Sequence, residues 1–226
     1  MTPVLAFDVY GTLLDTAGVT SALESLVGDR AAEFANLWRD KQLEYSFRRA
    51  LMQRYEDFSV CVRDALDYSA ARFRLSLTNE ERETLLGAYR RLPPFPEAAV
   101  SLQALGSFSI YAFSNGSRDT VRALLEAAGL LEHFVDVVSV EAVRSFKPSR
   151  SVYEYFMERF CSSSEGAWLI SGNPFDVIGA MSAGMRGVWI KRSDDAIFDP
   201  WEIEPTITVP SLCEIGAAIN AAVPRS

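Results

Sequence analysis

The sequence predicts an α/β protein: a Rossmann-like parallel sheet core carrying an inserted helical cap subdomain. Three observations predict it. Short apolar runs recur through the chain, and three of them end in a polar cluster. After residue 95 these runs alternate with helical segments, which is the pattern of parallel βαβ units. Between residues 17 and 92, by contrast, strand-like alternation disappears and only helical spacing remains. The core is therefore assigned to residues 1–14 and 95–226, and the cap to 15–94.

Pro3–Phe7 reads as a buried strand ending at Asp8, and Gly11 allows a sharp turn after it. Taken alone, this is equally a surface turn after an edge strand. In segment 31–53, Phe34, Trp38, Tyr45 and Met52 fall on one helical stripe, and Arg39, Leu43 and Phe47 on another. A cation in line with apolar groups suits a pocket for a partly apolar anion, although from periodicity alone Arg39 simply snorkels to solvent. Residues 55–74 and 79–91 read as further helices, the second started by Thr78-Asn79-Glu80-Glu81. Leu92-Pro93-Pro94-Phe95-Pro96 cannot continue a helix and closes the block.

Beyond it the expected order is helix 98–105, strand 109–113, helix 117–128, strand 134–140, helix 149–160 and strand 167–170. Helix 175–183, strands 187–190 and 207–209, and a last helix 212–222 complete the chain.

A chain of 226 residues can bury one large core plus a satellite, and 49% hydrophobic with 23% charged residues is ordinary globular composition. A net charge of −8 argues against nucleic acid as a partner. No apolar run approaches the ~20 residues that span a bilayer, and Asp8 interrupts the only N-terminal one, so neither a membrane span nor a signal peptide is expected. Cys61, Cys161 and Cys213 are odd in number and unpatterned, so they are expected to be small buried hydrophobes in a cytoplasmic protein. His133, the single histidine, has no partner motif and is assigned a structural or solvent-exposed role. Trp189 and Trp201 are assigned to packing.

Polar groups thus collect at three strand ends: Asp8 with Thr12, Ser114 with Asn115, and Ser171 with Asn173 and Asp176. A fourth segment, Phe146-Lys147-Pro148, precedes the helix that carries Tyr153. Serine and asparagine are common at turns, but four polar clusters at corresponding topological positions point to one site.

The motifs FDVYGTLLD (7–15), LWRDKQLEY (37–45), FSNGS (113–117), FKPSRSVY (146–153) and SGNPFD (171–176) resemble those of the haloacid dehalogenase superfamily over essentially the full chain. In detail the resemblance is to the L-2-haloacid dehalogenase branch. Phosphatases of the superfamily carry a second aspartate where this chain has Tyr10, and a metal-ligating aspartate where it has Gly172. Mg²⁺ prefers a full shell of hard oxygens, so the resemblance implies an enzyme without a cofactor.

Displacing halide from an sp³ carbon needs a carboxylate nucleophile, a site for the substrate carboxylate, a halide cradle and a base. The resemblance implies that Asp8 attacks C2 of an L-2-haloacid to form an ester. Lys147, Thr12 and Ser171 would hold Asp8 ionised, and Ser114 with the amides after Asp8 would bind the substrate carboxylate. Arg39 and Asn115 would receive the halide, with Phe58 in the apolar wall. Asp176, helped by Asn173, would activate the hydrolytic water, and Tyr153 would bond near the substrate carboxylate. Tyr10, Leu43 and Phe175 would line the alkyl side, with Phe175 and Gly172 each widening that wall. The implied product is the D-2-hydroxy acid, formed with inversion, and the implied partners are a 2-haloacid, halide and a second copy of the chain paired through the cap. A Mg²⁺-dependent phosphatase and a non-catalytic binding domain stand as alternatives.

Overall fold

The computed structural model describes residues 3–161 and 163–223. Its centre is one six-stranded, all-parallel sheet of order β3-β2-β1-β4-β5-β6, where β1 is Val4–Phe7, β2 Ser109–Ser114, β3 Asp136–Ser139, β4 Ala167–Ser171, β5 Arg186–Ile190 and β6 Ile207–Val209. A sheet covered by helices on both faces selects continuous apolar runs rather than alternation. The residues of β4, Ala-Trp-Leu-Ile-Ser, are accordingly all buried. Phe7 of β1 lies opposite Ala112 on one side and Ile170 on the other. The chain winds outward from β1 to β3, then returns to the other side of β1 with β4. The order reverses at β1, and open α/β sheets gather ligands at such a reversal, beyond the carboxyl ends of the strands.

Helices α1 (Thr20–Val27), α2 (Ala31–Leu51), α3 (Phe58–Arg72) and α4 (Asn79–Tyr89) follow β1 before the chain reaches α5 (Ala98–Ala104). Backbone bonds tie the entry and exit of this block together: Asp15 N–H donates to the Pro93 carbonyl at 2.8 Å, and Phe95 N–H to that of Leu13 at 2.9 Å. Inside the block, Trp38 Nε1 donates to the Val62 carbonyl at 2.8 Å, joining α2 to α3. The Thr78 start of α4 is a reciprocal capping box with Glu81. The remaining helices are α6 (Arg118–Ala127), α7 (Arg150–Phe160), α8 (Pro174–Ser182) and α9 (Ile215–Ala222). Among the described residues no helix is long and apolar enough to cross a membrane.

Several expectations shift. Helix α1 had no individual assignment. Helix α3 starts at Phe58 rather than 55, because the Asp57 side chain caps it by accepting from Ser59 N–H. The stripe on α2 holds for Phe34 and Trp38, both fully buried, but fails at Met52, which lies past the helix end and is 60% exposed. Trp201 is 67% exposed and is not a packing residue. Cys213 is exposed, whereas Cys61 is buried as expected.

Helices α7 and α8 meet with no spare volume. A Cβ at Gly179 would lie 2.6 Å from both Pro148 Cβ and Tyr153 Oη. Replacing glycine by alanine in a helix gains up to about 1 kcal/mol, but overpacking a rigid contact costs about 1–3 kcal/mol. With two such contacts the cost wins. Gly179→Ala is expected to lower the urea midpoint of unfolding, and an unchanged midpoint would show that α7 and α8 separate freely.

Candidate active site

The carboxyl ends of β1, β2 and β4 converge on a buried ion cluster. Lys147 Nζ lies 3.2 Å from Asp8 Oδ1 and 2.8 Å from Asp176 Oδ2, and donates to the Phe113 carbonyl at 2.9 Å. Lys147 is 1% exposed, Asp8 6% and Asp176 0%. Burial works against the lysine's charge, but Asp176 and Asp8 outweigh it and hold the Lys147 pKa above its ordinary value. For Asp176 burial dominates and the nearby Asp8 charge adds to it. Lys147 and the Tyr153 hydrogen bond pull the other way, and the net shift is upward.

The two oxygens of Asp8 are held unequally. Oδ2 accepts from Thr12 Oγ1 at 2.8 Å, Asn173 Nδ2 at 2.8 Å and Ser171 Oγ at 3.5 Å. Oδ1 faces Lys147 at the longer 3.2 Å. Thr12 Oγ1 also accepts the Gly172 amide at 2.9 Å, so its own proton points at Asp8. The turn that allows this is made by Gly11 at φ +80°, in the left-handed region that suits glycine. The same turn leaves the Tyr10 amide without a backbone partner among the described residues. Close by, Asn115 Oδ1 accepts the Lys147 amide at 2.9 Å. That bond fixes the side-chain amide so that its NH₂ is the end left to donate. Ser114 Oγ accepts from the Gly116 amide at 3.2 Å and keeps its hydroxyl proton.

Arg39 reaches this cluster from α2. Its Nη2 is 3.5 Å from the Tyr10 carbonyl and its Nη1 3.4 Å from the Tyr89 hydroxyl, both long contacts to neutral oxygens. No carboxylate pairs with it among the described residues. A half-buried cation with only weak neutral partners retains most of its attraction for an anion. Phe58, 3% exposed, packs on the Tyr10 ring at 5.8 Å, and Phe175 meets Phe47 edge-on at 5.1 Å, one turn along α2 from Leu43. A cavity of about 270 Å³ borders the site between Tyr10, Phe58 and Tyr89 on one side and Gly116, Ser117 and Thr120 on the other.

Three expectations change here. Tyr153 is fully buried and its hydroxyl donates to Asp176 Oδ1 at 2.8 Å, so it orients that carboxylate rather than a bound acid. The Asn173 side chain serves Asp8, not Asp176. A Cβ at Gly172 would meet the Gly11 carbonyl oxygen at 2.6 Å, so the space is filled by backbone and Gly172 does not widen the pocket. Sequence reasoning also missed Tyr89, which stacks on Tyr10 at 5.9 Å, and Arg192, whose Nη2 donates to the Thr12 carbonyl at 2.7 Å. Tyr89 lies in no polar strand-end motif, and only packing brings it here; Arg192 stands two residues past β5 in the polar run Lys191–Asp195, a strand-end signal that the reading passed over.

The comparisons with known proteins agree with this geometry. A family model for haloacid dehalogenase-like hydrolases matches residues 2–184. Haloacetate dehalogenase H-2 of Moraxella sp. (strain B) is 36% identical, over 91% of this chain and 92% of its own length. The (S)-2-haloacid dehalogenase of Pseudomonas sp. (strain YL) is 34% identical, over 94% and 95%. The structure of L-2-haloacid dehalogenase from Xanthobacter autotrophicus with chloropropionic acid covalently bound superposes with a TM-score of 0.90 at 31% identity, covering 97% of this chain and 99% of that one. With a whole-length match in sequence and in fold, the chain belongs to the haloacid dehalogenase-like hydrolase family.

Proposed function

We propose that this protein hydrolyses the carbon–halogen bond of short L-2-haloalkanoic acids, with inversion, through an ester on Asp8. The observation that carries the reading is the asymmetry of the Asp8 carboxylate. Oδ2 is loaded with donors, while Oδ1 keeps electron density for attack beside a single long contact to Lys147. The related enzyme that holds chloropropionic acid covalently supports it.

In the first step Oδ1 forms a bond to C2 as the C2–halogen bond breaks, and the halide leaves with the electron pair. Arg39 and the NH₂ of Asn115 receive it, while Ser114 and the Tyr10 amide hold the substrate carboxylate. A halide needs no proton, so Tyr10 in place of an acid is no handicap. In the second step water attacks Cγ of the ester. Negative charge then develops on Oδ2, where Thr12, Asn173 and Ser171 already donate. Asp176, whose proton affinity burial has raised, takes the proton and returns it to the departing hydroxy acid. Tyr10, Leu43, Phe58 and Phe175 form the apolar side.

The residues do not fit Mg²⁺, which the phosphatases of this superfamily use. The carboxylates of Asp8 and Asp176 are bridged by an ammonium, and position 172 has no side chain to ligate. Among the described residues no group of three His, Cys, Asp or Glu converges as metal ligands. A phosphatase would lack a metal ligand at 172, and a binding domain would have no use for the shared proton network.

The isolated antiparallel bridge between Leu14 and Pro94, with the backbone bonds of Asp15 and Phe95, supports a cap boundary at 14/15 and 94/95. Pairing of two copies through the cap is supported by Leu51, Met52 and Tyr68, which are 88%, 60% and 41% exposed. Three unpaired cysteines suit the cytoplasm.

Two outcomes are expected. In H₂¹⁸O, repeated turnover of L-2-chloropropionate should place the label in the peptide that contains Asp8, and Asp8→Asn should release no chloride. Label found only in the product would mean that water attacks C2 directly. The rate should fall on the acid side as Asp176 takes up a proton, at a pH above the ordinary aspartate value. The Tyr153 hydrogen bond lowers the Asp176 pKa, so Tyr153→Phe should move that acid limb to higher pH. A limb left in place would remove Asp176 as the base.

A further inference from the structure

The ion cluster explains Asp8, Lys147 and Asp176, but not a pair of polar groups behind Arg39. Gln42 lies one turn from Arg39 on α2, is completely buried, and neither its side-chain oxygen nor its nitrogen has a hydrogen-bond partner among the described residues. A buried, unpaired amide is costly, about 1–3 kcal/mol for each group. Its neighbour is the Tyr89 hydroxyl. Burial pushes the Tyr89 pKa up, while Arg39 and Gln42, both close to the hydroxyl, pull it back. Tyr89 is 5% exposed and its ring is fixed between Tyr10 at 5.9 Å and Trp38 at 5.3 Å. Arg39 Nη1 donates to the Tyr89 oxygen at 3.4 Å, and since Gln42 acts on the Tyr89 pKa in the same sense as Arg39, its side-chain NH₂ is the group placed to donate to that oxygen as well.

We propose that Tyr89 and Gln42 are positioning residues that aim the Arg39 guanidinium at the departing halide, through a chain running from Arg39 to Tyr89 to Gln42. The inference rests on the reading of Arg39 as part of the halide cradle. The Tyr89 ring, held between Tyr10 and Trp38, is the fixed point of this chain, and its oxygen sets where Arg39 Nη1 can lie. A chain of this kind acts on the leaving group and not on the ester. Chloride, smaller and harder to expel than bromide, depends on it more.

The test is single-turnover halide release from L-2-chloropropionate and L-2-bromopropionate by wild type, Tyr89→Phe and Gln42→Met. Each variant removes hydrogen-bonding capacity with little change in volume. Both should slow chloride release about tenfold more than bromide release, the size of one hydrogen bond to a charged group. In an Arg39→Lys background, Tyr89→Phe should add no further discrimination, since neighbours that act through one another do not add. Melting temperatures identify general loosening, which would slow both halogens alike. Equal slowing of both halogens, or a Tyr89→Phe effect that persists without Arg39, would overturn the proposal while leaving the dehalogenase reading intact. No halide release by wild type from either acid would overturn both.

Discussion

Everything at this site depends on one buried ammonium. Lys147 stands between two carboxylates in a place where none of the three is more than 6% exposed. An unpaired charge there would be prohibitive, and removing one partner from a buried pair costs about 3–5 kcal/mol. The lysine therefore holds both aspartates close. It does so without saturating them, since one charge is shared over two acceptors at 3.2 and 2.8 Å. In the proposed mechanism the carboxylate held further away is the nucleophile and the one held closer is the base of the second step.

The sheet supplies the convergence. Asp8 follows β1, Ser114 closes β2 and Ser171 closes β4, and because these strands are adjacent and parallel their ends share one edge. Tyr153 and Gly179 then fix α7 against α8 so that Asp176 reaches the same point. Arg39 is the exception, because it comes from the helical block and closes the site from the opposite side. Asp8, Ser114, Asn115 and Ser171 thus stand on the core, whereas Arg39 is carried by α2.

How much of this was legible in the sequence follows the same division. Strand-end polar groups are readable, since an apolar run that stops at Asp8 or Ser171 announces both the strand and the edge. The Thr78 capping box was readable for a similar reason: its partners are three residues apart. Tyr89 was not readable, because its contact with Arg39 spans fifty positions and depends on how α4 packs against α2. Tyr153 was seen but given the wrong neighbour, since helical spacing reveals a face and not what that face touches. The stripe through Met52 failed because a helix period has no information about where the helix stops.

The close approach of Gly172 to the Gly11 carbonyl limits what position 172 can become. Phosphatase chemistry in this superfamily requires an aspartate at the position of Gly172, yet any side chain there would drive into the backbone of the loop that carries the nucleophile. A single codon change at 172 would therefore damage the existing activity before it conferred a new one. The loop after β1 would first have to move, and that loop also sets the aim of Asp8. In this chain, packing as well as chemistry therefore stands against a metal ligand at position 172.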